Sequence, residues 1–358
     1  MERNRRGRKL RKFLVVSLLC FGVLEAGYRV YLFNFADAAQ FSKYAPFAEV
    51  PADRLFYRGH HYLDYCLNEA YRSPDGKNRH NSLGYRGKEI TRAKSPGVYR
   101  IACIGGSTTY ETLIADYQLS YPDQLEAILR EQYGAREVEV INAGCGGWTS
   151  WESLIDLEFR LLDLAPDLIV VYHGTNDVHP RLIPPEAYRS DNSGYRRQWC
   201  TDESFWERSA VLRLIGIRLG WAHKTSVGSL TVREYDDSDR AEWLAANPPT
   251  FFKANLENTI ALARAHGIGV VLATWAWCPE RGDYAANPVY QQGFRQGNDV
   301  VRDVAARNGI ELYDFVEEMP TDPEFWGDGR HVNERGARRK AELFASFIAP
   351  RFLGREGR

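Results

Sequence analysis

The chain has 358 residues, of which 44% are hydrophobic and 26% charged, with a formal net charge of −1. This length and apolar content provide for a real core, in one large domain or two ordinary ones. The near-neutral balance excludes a protein organised around a basic nucleic-acid-binding surface.

The first dozen residues carry Arg3, Arg5, Arg6, Arg8, Lys9, Arg11 and Lys12, offset only by Glu2, and an uninterrupted apolar run from Phe13 to Leu24 follows. A basic start leading into an apolar stretch predicts a secretory signal or a signal-anchor helix. Alone, the run is shorter than the roughly 20 residues that cross a bilayer. Apolar residues resume between Tyr28 and Phe35, interrupted by Glu25 and Arg29, whose spacing pairs them on one helix face. Ala36-Asp37-Ala38 offers only a weak small-residue cleavage pattern, distant from the apolar core. The expectation is a retained single-pass anchor within residues 1–35, with its basic end cytoplasmic and the remainder periplasmic or otherwise extracytoplasmic.

Cys20 lies in the apolar run, while Cys103 and Cys145 flank the loops discussed below. Cys66, Cys200 and Cys278 are free to pair, but an odd number cannot all do so, and no Cys-x-x-Cys or zinc-ligand spacing is present. Residues 36–98 read as an irregular lead-in, within which Asn81–Gly87 forms a turn-rich segment expected on the domain surface.

From Tyr99 strands and helices alternate. Strands are predicted over Arg100–Ile104, Val138–Ile141, Leu168–Tyr172, Ile268–Ala273 and Glu311–Phe315. Helices are predicted over Asp123–Tyr133 (Pro122 suits its start), Trp151–Leu164, Lys253–Ala265, Gly293–Arg307 and Glu334–Ile348. The five consecutive apolar residues of Leu168–Tyr172 suit a strand covered on both faces. The pattern predicts an α/β domain over 99–349, a parallel sheet sandwiched between helices, with residues 350–358 as a tail. A long insertion, about 178–249, carries Trp199, Trp206, Trp221 and Trp243 between flanking prolines. It reads as a lid or substrate cap, or else as a packing excursion.

In open parallel sheets, ligands bind beyond the carboxyl ends of the strands. Three short motifs sit directly after predicted strands and a fourth precedes the last helix: Gly105-Gly106-Ser107, Asn142-Ala143-Gly144, Gly174-Thr175-Asn176-Asp177 and Asp328-x-x-His331. Ser107 is placed as a nucleophile on a strand-to-helix turn, or simply as a helix N-cap, a role Thr108 and Thr109 could also fill. Gly144 offers a backbone N–H that no side chain shields, and Asn176 a side-chain N–H, the donor types an acyl transfer needs at its developing oxyanion. Read singly, both are ordinary turn residues. Asp328 is spaced to fix the tautomer of His331 as general base. His173 and His179 flank the asparagine motif and read as substrate-side or structural polar groups.

Together these blocks resemble the SGNH branch of the GDSL-type esterases and lipases, with Ser107, Gly144, Asn176 and His331 as the four signature residues and Asp328 as the accompanying carboxylate. The resemblance covers about residues 99–349 and implies a flavodoxin-like three-layer αβα sandwich (the SGNH hydrolase fold). It further implies ester hydrolysis through an acyl-enzyme, without metal or cofactor, and an oxyanion hole built from the Ser107 N–H, the Gly144 N–H and the Asn176 amide. One position departs from the pattern: Gly106 stands where the family usually has aspartate.

The function expected is a membrane-anchored serine esterase acting on short acyl or acetyl esters of a small molecule or of envelope or extracellular carbohydrate. Trp148, Trp151, Trp275 and Trp277 are candidates for stacking on sugar rings. The rival readings are an O-acyltransferase of envelope polysaccharide and a catalytically silent carbohydrate-binding scaffold. No nucleic-acid partner is expected, and sequence leaves the oligomeric state open.

Overall fold

The computed structural model describes residues 2–36, 38–46, 50–197, 204–222, 231–233, 235–236 and 238–354. They fall into two compact units, one drawn from residues 1–52 and 198–232, the other from 53–197 and 233–358. Along the chain, α1 (Glu2–Asn34) and α2 (Ala38–Tyr44) precede a small antiparallel pair, β1 (Tyr57–Arg58) and β2 (Cys66–Leu67). Next come β3 (Tyr99–Gly105), the single turn α3 (Ser107–Tyr110), α4 (Tyr121–Gln132), β4 (Val138–Gly144), α5 (Ser150–Asp156), β5 (Leu168–Tyr172) and the single turn α6 (Thr175–Val178). Then follow α7 (Ala210–Arg218), α8 (Arg240–Ala246), α9 (Thr250–Ala265), β6 (Gly269–Ala273), α10 (Pro288–Asn308), β7 (Glu311–Tyr313), the single turn α11 (Phe315–Glu318) and α12 (Glu334–Ile348).

The larger unit is built on one five-stranded sheet, ordered β4-β3-β5-β6-β7, with every neighbouring pair parallel. Numbered within that sheet the order is 2-1-3-4-5, the flavodoxin-like arrangement, in which the chain reverses its direction of winding between β3 and β5. Alternation along each strand sends side chains to opposite faces. Ile101, Cys103, Val140, Leu168, Val170 and Val271 join one buried cluster, completed by Leu125, Ile128 and Leu129 of α4 and Phe344, Phe347 and Ile348 of α12. Ala102, Ile104, Ile141, Ile169, Val171 and Leu272 join the other, completed by Leu256, Ile260 and Ala263 of α9 and Val301, Val304 and Ala305 of α10. Two apolar faces, each covered by helices, make the expected three-layer αβα sandwich.

The expected helix over Trp151–Leu164 begins with a capping box, Glu152 accepting from the Thr149 N–H, but widens to a π-type turn at Leu157–Leu161 and closes at Leu162–Leu164 before left-handed Ala165. The last strand stops at Tyr313 rather than Phe315, because Asp314 turns out of the ladder to accept from Thr274 (2.8 Å) and Arg302 (2.8 Å). Among the described residues no cysteine is paired; Cys66 and Cys278 are buried thiols, and Cys200 lies outside those residues.

The Asn81–Gly87 segment is not laid on the surface. Tyr85 and Arg86 are buried, and Asn81 Oδ1 accepts from the N–H groups of Leu83 and Tyr85 to shape the turn. The Arg86 guanidinium donates to the carbonyls of Tyr110, Glu111 and Ile114, the last two at 2.9 and 2.6 Å. Carbonyls left over where α3 ends need donors, and a buried arginine supplies several at once.

The long connection after α6 does not behave as one element. Its two ends stay with the sheet: Arg181 Nε donates to the Asn247 carbonyl (2.7 Å), and Asn247 Nδ2 returns bonds to the carbonyls of Arg181 and Ile183. Its middle, including α7, belongs with α1 and α2 in the smaller unit. There Leu32, Phe41, Ala45 and Ala210 form a small core. The Glu25–Arg29 pair expected from sequence is present at 2.6 Å. Residues Arg6–Asn34 form a helix long and apolar enough to cross a membrane.

On the α12 face, Lys340 is fully buried and bridges to the turn after β3. Its ammonium donates to the Thr108 carbonyl (2.5 Å) and Glu111 Oε1 (3.0 Å), and lies 4.1 and 4.3 Å from the ring centres of Tyr121 and Tyr172. Burial drives both groups toward their neutral forms, lowering Lys340 and raising Glu111, and their pairing opposes it. Lys340→Met, which strands the carboxylate, should lower the unfolding free energy in a denaturant titration by roughly 3–5 kcal/mol. The Lys340→Met/Glu111→Leu double variant should recover much of that loss, and additive losses would show that the two groups are not coupled.

Candidate active site

Ser107 follows β3 at the point where the chain turns into α3. A Cβ at Gly105 would overlap Thr109 and the Tyr172 carbonyl, and one at Gly106 would overlap the Asn176 amide, so the approach to the serine is confined to glycine. The departure at Gly106 is therefore matched by its surroundings: Asn176 occupies the space a side chain there would claim.

Gly106, not Ser107, is the N-cap of α3, and no side chain caps that turn. The Ser107 hydroxyl is committed elsewhere: its Oγ lies 2.8 Å from His331 Nε2. His331 Nδ1 lies 2.8 and 3.0 Å from the two oxygens of Asp328. A carboxylate only accepts, so Nδ1 carries the ring proton and the Nε2 lone pair faces the serine O–H. Asp328 is itself held by the backbone N–H groups of Arg330 (2.8 Å) and His331 (2.7 Å). Burial raises its pKa, but the His331 ring and those two N–H bonds outweigh it and hold the carboxyl well below the usual carboxylate range. Asp328 therefore stays ionised at any pH where the base works. Asn333, two residues beyond His331, caps α12 by accepting from Gly336 N–H (3.0 Å), fixing where the histidine loop ends.

Asn176, at the start of α6, donates one amide hydrogen to the Trp148 carbonyl at 2.8 Å. The second has no acceptor among the described residues and is available to a ligand. Ser107 N–H, in the first turn of α3, likewise has no acceptor among them.

Gly144 differs from expectation. It is still in the ladder, opposite Gly105, because β4 runs three residues beyond the predicted Ile141. Its N–H donates to Asn142 Oδ1 at 3.1 Å and is not free. The glycine is needed instead because Thr109 and Tyr110 of the serine turn pack against its Cα.

The backbone N–H groups without an acceptor among the described residues come two and three residues on, at Gly146 and Gly147, the second with φ of +84°. Around it the turn is clamped. The Tyr65 hydroxyl donates to the Gly146 carbonyl (2.8 Å), Arg196 donates to the Gly147 carbonyl, and Trp148 Nε1 donates to the Tyr65 carbonyl (3.1 Å). The Gly146 carbonyl belongs to the same peptide group as the Gly147 N–H, so the tyrosine polarises that group toward a stronger donor. Arg196 is itself buried and paired with Glu152 at 3.0 Å. Sequence reasoning missed Gly147, Tyr65 and Arg196. The Gly146-Gly147 pair after a strand was a usable signal for the first, and nothing local marked the other two.

His173 does not reach the serine. Its Nε2 lies 2.9 Å from Ser153 Oγ, and burial pushes its pKa down to about 3. Asp177 accepts from the N–H (2.9 Å) and hydroxyl (2.6 Å) of Ser150. His179 packs among Tyr195, Tyr284 and Tyr290, its Nδ1 3.1 Å from the Tyr290 hydroxyl. Of the four tryptophans considered for sugar stacking, Trp148 and Trp275 are buried, and Trp151 and Trp277 partly so.

A family model for the GDSL-like lipase/acylhydrolases matches residues 103–339, a span that holds Ser107, Gly147, Asn176, Asp328 and His331 but not Tyr65. The chain belongs to the GDSL-like lipase/acylhydrolase family. It is an ester-bond hydrolase by that membership. Similar solved structures include the lipase/acylhydrolase from Enterococcus faecalis (20% identity, 71% of this chain and 97% of that one, TM-score 0.45). An acetyl xylan esterase (18% identity, 70% and 99%, TM-score 0.44) and a GDSL-like lipase from Bacteroides thetaiotaomicron (15%, 73% and 92%, TM-score 0.42) are also similar. A search of curated proteins gave no match.

Two outcomes follow from this geometry. Tyr65→Phe leaves the Gly146 carbonyl without its donor and should lower kcat about tenfold with little change in KM, the effect of about 1.4 kcal/mol in the transition state. An equal rise in KM would place the tyrosine's effect on ground-state binding instead. Because the folded-state pKa of Asp328 is depressed, its stabilisation is fully present above the unfolded value near 3.9 and is lost as pH falls below it. The stability gap between wild type and Asp328→Asn, followed by thermal melts, should therefore be present above about pH 4 and shrink as pH falls below it.

Proposed function

We propose that the chain is a serine esterase that removes short acyl groups, acetyl above all, through an acyl-enzyme on Ser107. The observation that carries this reading is the continuous relay from Ser107 Oγ to His331 Nε2 (2.8 Å) and from His331 Nδ1 to Asp328 (2.8 Å), beside free N–H donors. His331 takes the hydroxyl proton as Ser107 Oγ attacks the ester carbonyl, and Asp328 stabilises the imidazolium that forms. The carbonyl oxygen, now anionic, is received by the N–H groups of Ser107 and Gly147 and the free amide hydrogen of Asn176. His331 then protonates the departing alcohol, and a water activated by the same base releases the acid.

A short acyl group suits the surroundings. Trp275 is buried against Gly174 and within 3.3 Å of Thr108 Oγ1, filling the space behind the serine turn. The reading also takes α1 as a single-pass anchor, basic end inward, with the catalytic unit on the outer side and an envelope or extracellular carbohydrate ester as its substrate. The connection near 178–249 is read as contributing a substrate cap through the ends that stay with the sheet.

The test is labelling with a fluorophosphonate followed by turnover of p-nitrophenyl acetate. Wild type should label and turn over, while Ser107→Ala and His331→Ala should lose labelling and at least about 10⁴-fold in kcat. Undiminished turnover in either variant would refute the relay. Adding an acetylated sugar with a free-sugar acceptor separates the rival acyltransferase, which would move the acyl group to the acceptor faster than to water.

A further inference from the structure

The smaller unit exposes an apolar surface in an unusual place. Helix α7 turns Ala210, Arg213 and Gly216 inward, and all three are buried. Its opposite side carries Leu212, Ile215 and, just past its end, Leu219, all exposed. At 100° per residue these three fall within a sector of roughly 60°. Phe205 and Trp221, on either side of the helix, are 89% and 72% exposed.

The same helix is fastened to α1 by its first turn. The Glu25 carboxylate accepts from the Ser209 hydroxyl (2.7 Å), the Ala210 N–H (2.8 Å) and the Val211 N–H (3.0 Å), and Arg29 donates to the Arg208 carbonyl (2.7 Å). Arg29 also pairs with Glu25 at 2.6 Å. At 1.5 Å per residue, Glu25 and Arg29 stand about 20 and 26 Å along the helix from Lys12, the last residue of the basic start. A hydrocarbon core is about 30 Å thick. With Lys12 at one boundary, the Glu25–Arg29 pair arrives just inside the other. A carboxylate at that depth is costly unless its lone pairs are taken up, and the start of α7 takes them up.

We infer that α7 and its flanks, residues 205–221, form a second lipid contact, lying in the outer headgroup region with Leu212, Ile215, Leu219 and Trp221 in the acyl-chain boundary. This rests on the reading of α1 as a membrane span. A helix tied at that depth sits at the level of the headgroups, where an exposed apolar sector has acyl chains within reach. An aromatic residue next to an apolar helix face also suits the interface, where indole rings settle. The contact would hold the catalytic chain at the membrane by two points, a span and a surface helix.

The experiment uses the full chain, with Cys20→Ser and Cys200→Ser, reconstituted into phosphatidylcholine/phosphatidylglycerol vesicles. Single cysteines at L212C, L219C, L19C and Y133C each carry an environment-sensitive fluorophore, and nitroxide-labelled lipid serves as quencher. L19C reports the span and Y133C an exposed site on the catalytic unit. The inference predicts that L212C and L219C lose roughly half or more of their emission to nitroxide lipid, as L19C does, while Y133C does not. Adding Glu25→Gln should weaken the quenching at L219C and leave L19C unchanged. Quenching at L19C with L212C and L219C behaving like Y133C overturns the inference while the anchor stands. Absence of quenching at L19C overturns the anchor and the inference with it. Shielding of L219C from aqueous iodide without lipid quenching would mean that protein covers the face, and also overturns it.

Discussion

Parallel strands end side by side, and this constraint gives the molecule its chemistry. Ser107, the Gly146–Trp148 turn and Asn176 follow β3, β4 and β5 in turn, three strands adjacent in the sheet, at the point where the winding direction reverses. Each strand's last hydrogen bonds fix the height at which its loop departs, so groups far apart in sequence arrive within bonding distance of one another. The His331–Ser107 bond at 2.8 Å spans 224 residues, and it exists because α12 returns across the same face of the sheet. Loss of sheet register would misplace Ser107, the Gly146–Trp148 turn and Asn176 together.

Around that edge the protein buries an unusual number of charges, each tied to a loop of the site. Arg86 gathers the carbonyls where α3 ends, Lys340 holds Thr108 from behind, and Arg196 holds Gly147. Buried charges are poor investments in bare stability. Their value here is positional: a guanidinium or ammonium satisfies several carbonyls of a turn that has no ladder of its own. The lead-in, outside the matched family span, thereby becomes part of the catalytic unit, since Tyr65 and Arg86 come from it.

The five strands and the helices between them were legible because their periodicity is strong and buried on both faces. The Asp328–His331 pair could be read from its spacing of three, whereas Ser107 read equally as a helix N-cap and was singled out by the family resemblance, 224 residues from the histidine it bonds. Gly144 was not read correctly, because Gly144-Cys145-Gly146-Gly147 offers three glycines, and the length of β4 takes the first into the ladder and leaves the spare N–H groups at the other two. Arg86, Tyr65 and Lys340 were illegible for a different reason. Their partners lie far away in sequence, and a buried polar side chain leaves no periodic trace. The split of the long connection, its ends with the sheet and its middle with α1, was likewise invisible, since Glu25 and Ser209 are 184 residues apart.

The central claim is that Ser107 is the nucleophile and that Ser107, Gly147 and Asn176 receive the oxyanion. A crystal structure of the fluorophosphonate adduct tests it most directly, because the phosphoryl oxygen stands where the oxyanion would. The account predicts phosphorus bonded to Ser107 Oγ, with that oxygen roughly 3 Å from the Ser107 and Gly147 nitrogens and Asn176 Nδ2. An oxygen directed at Gly144, or an adduct on another residue, would contradict it.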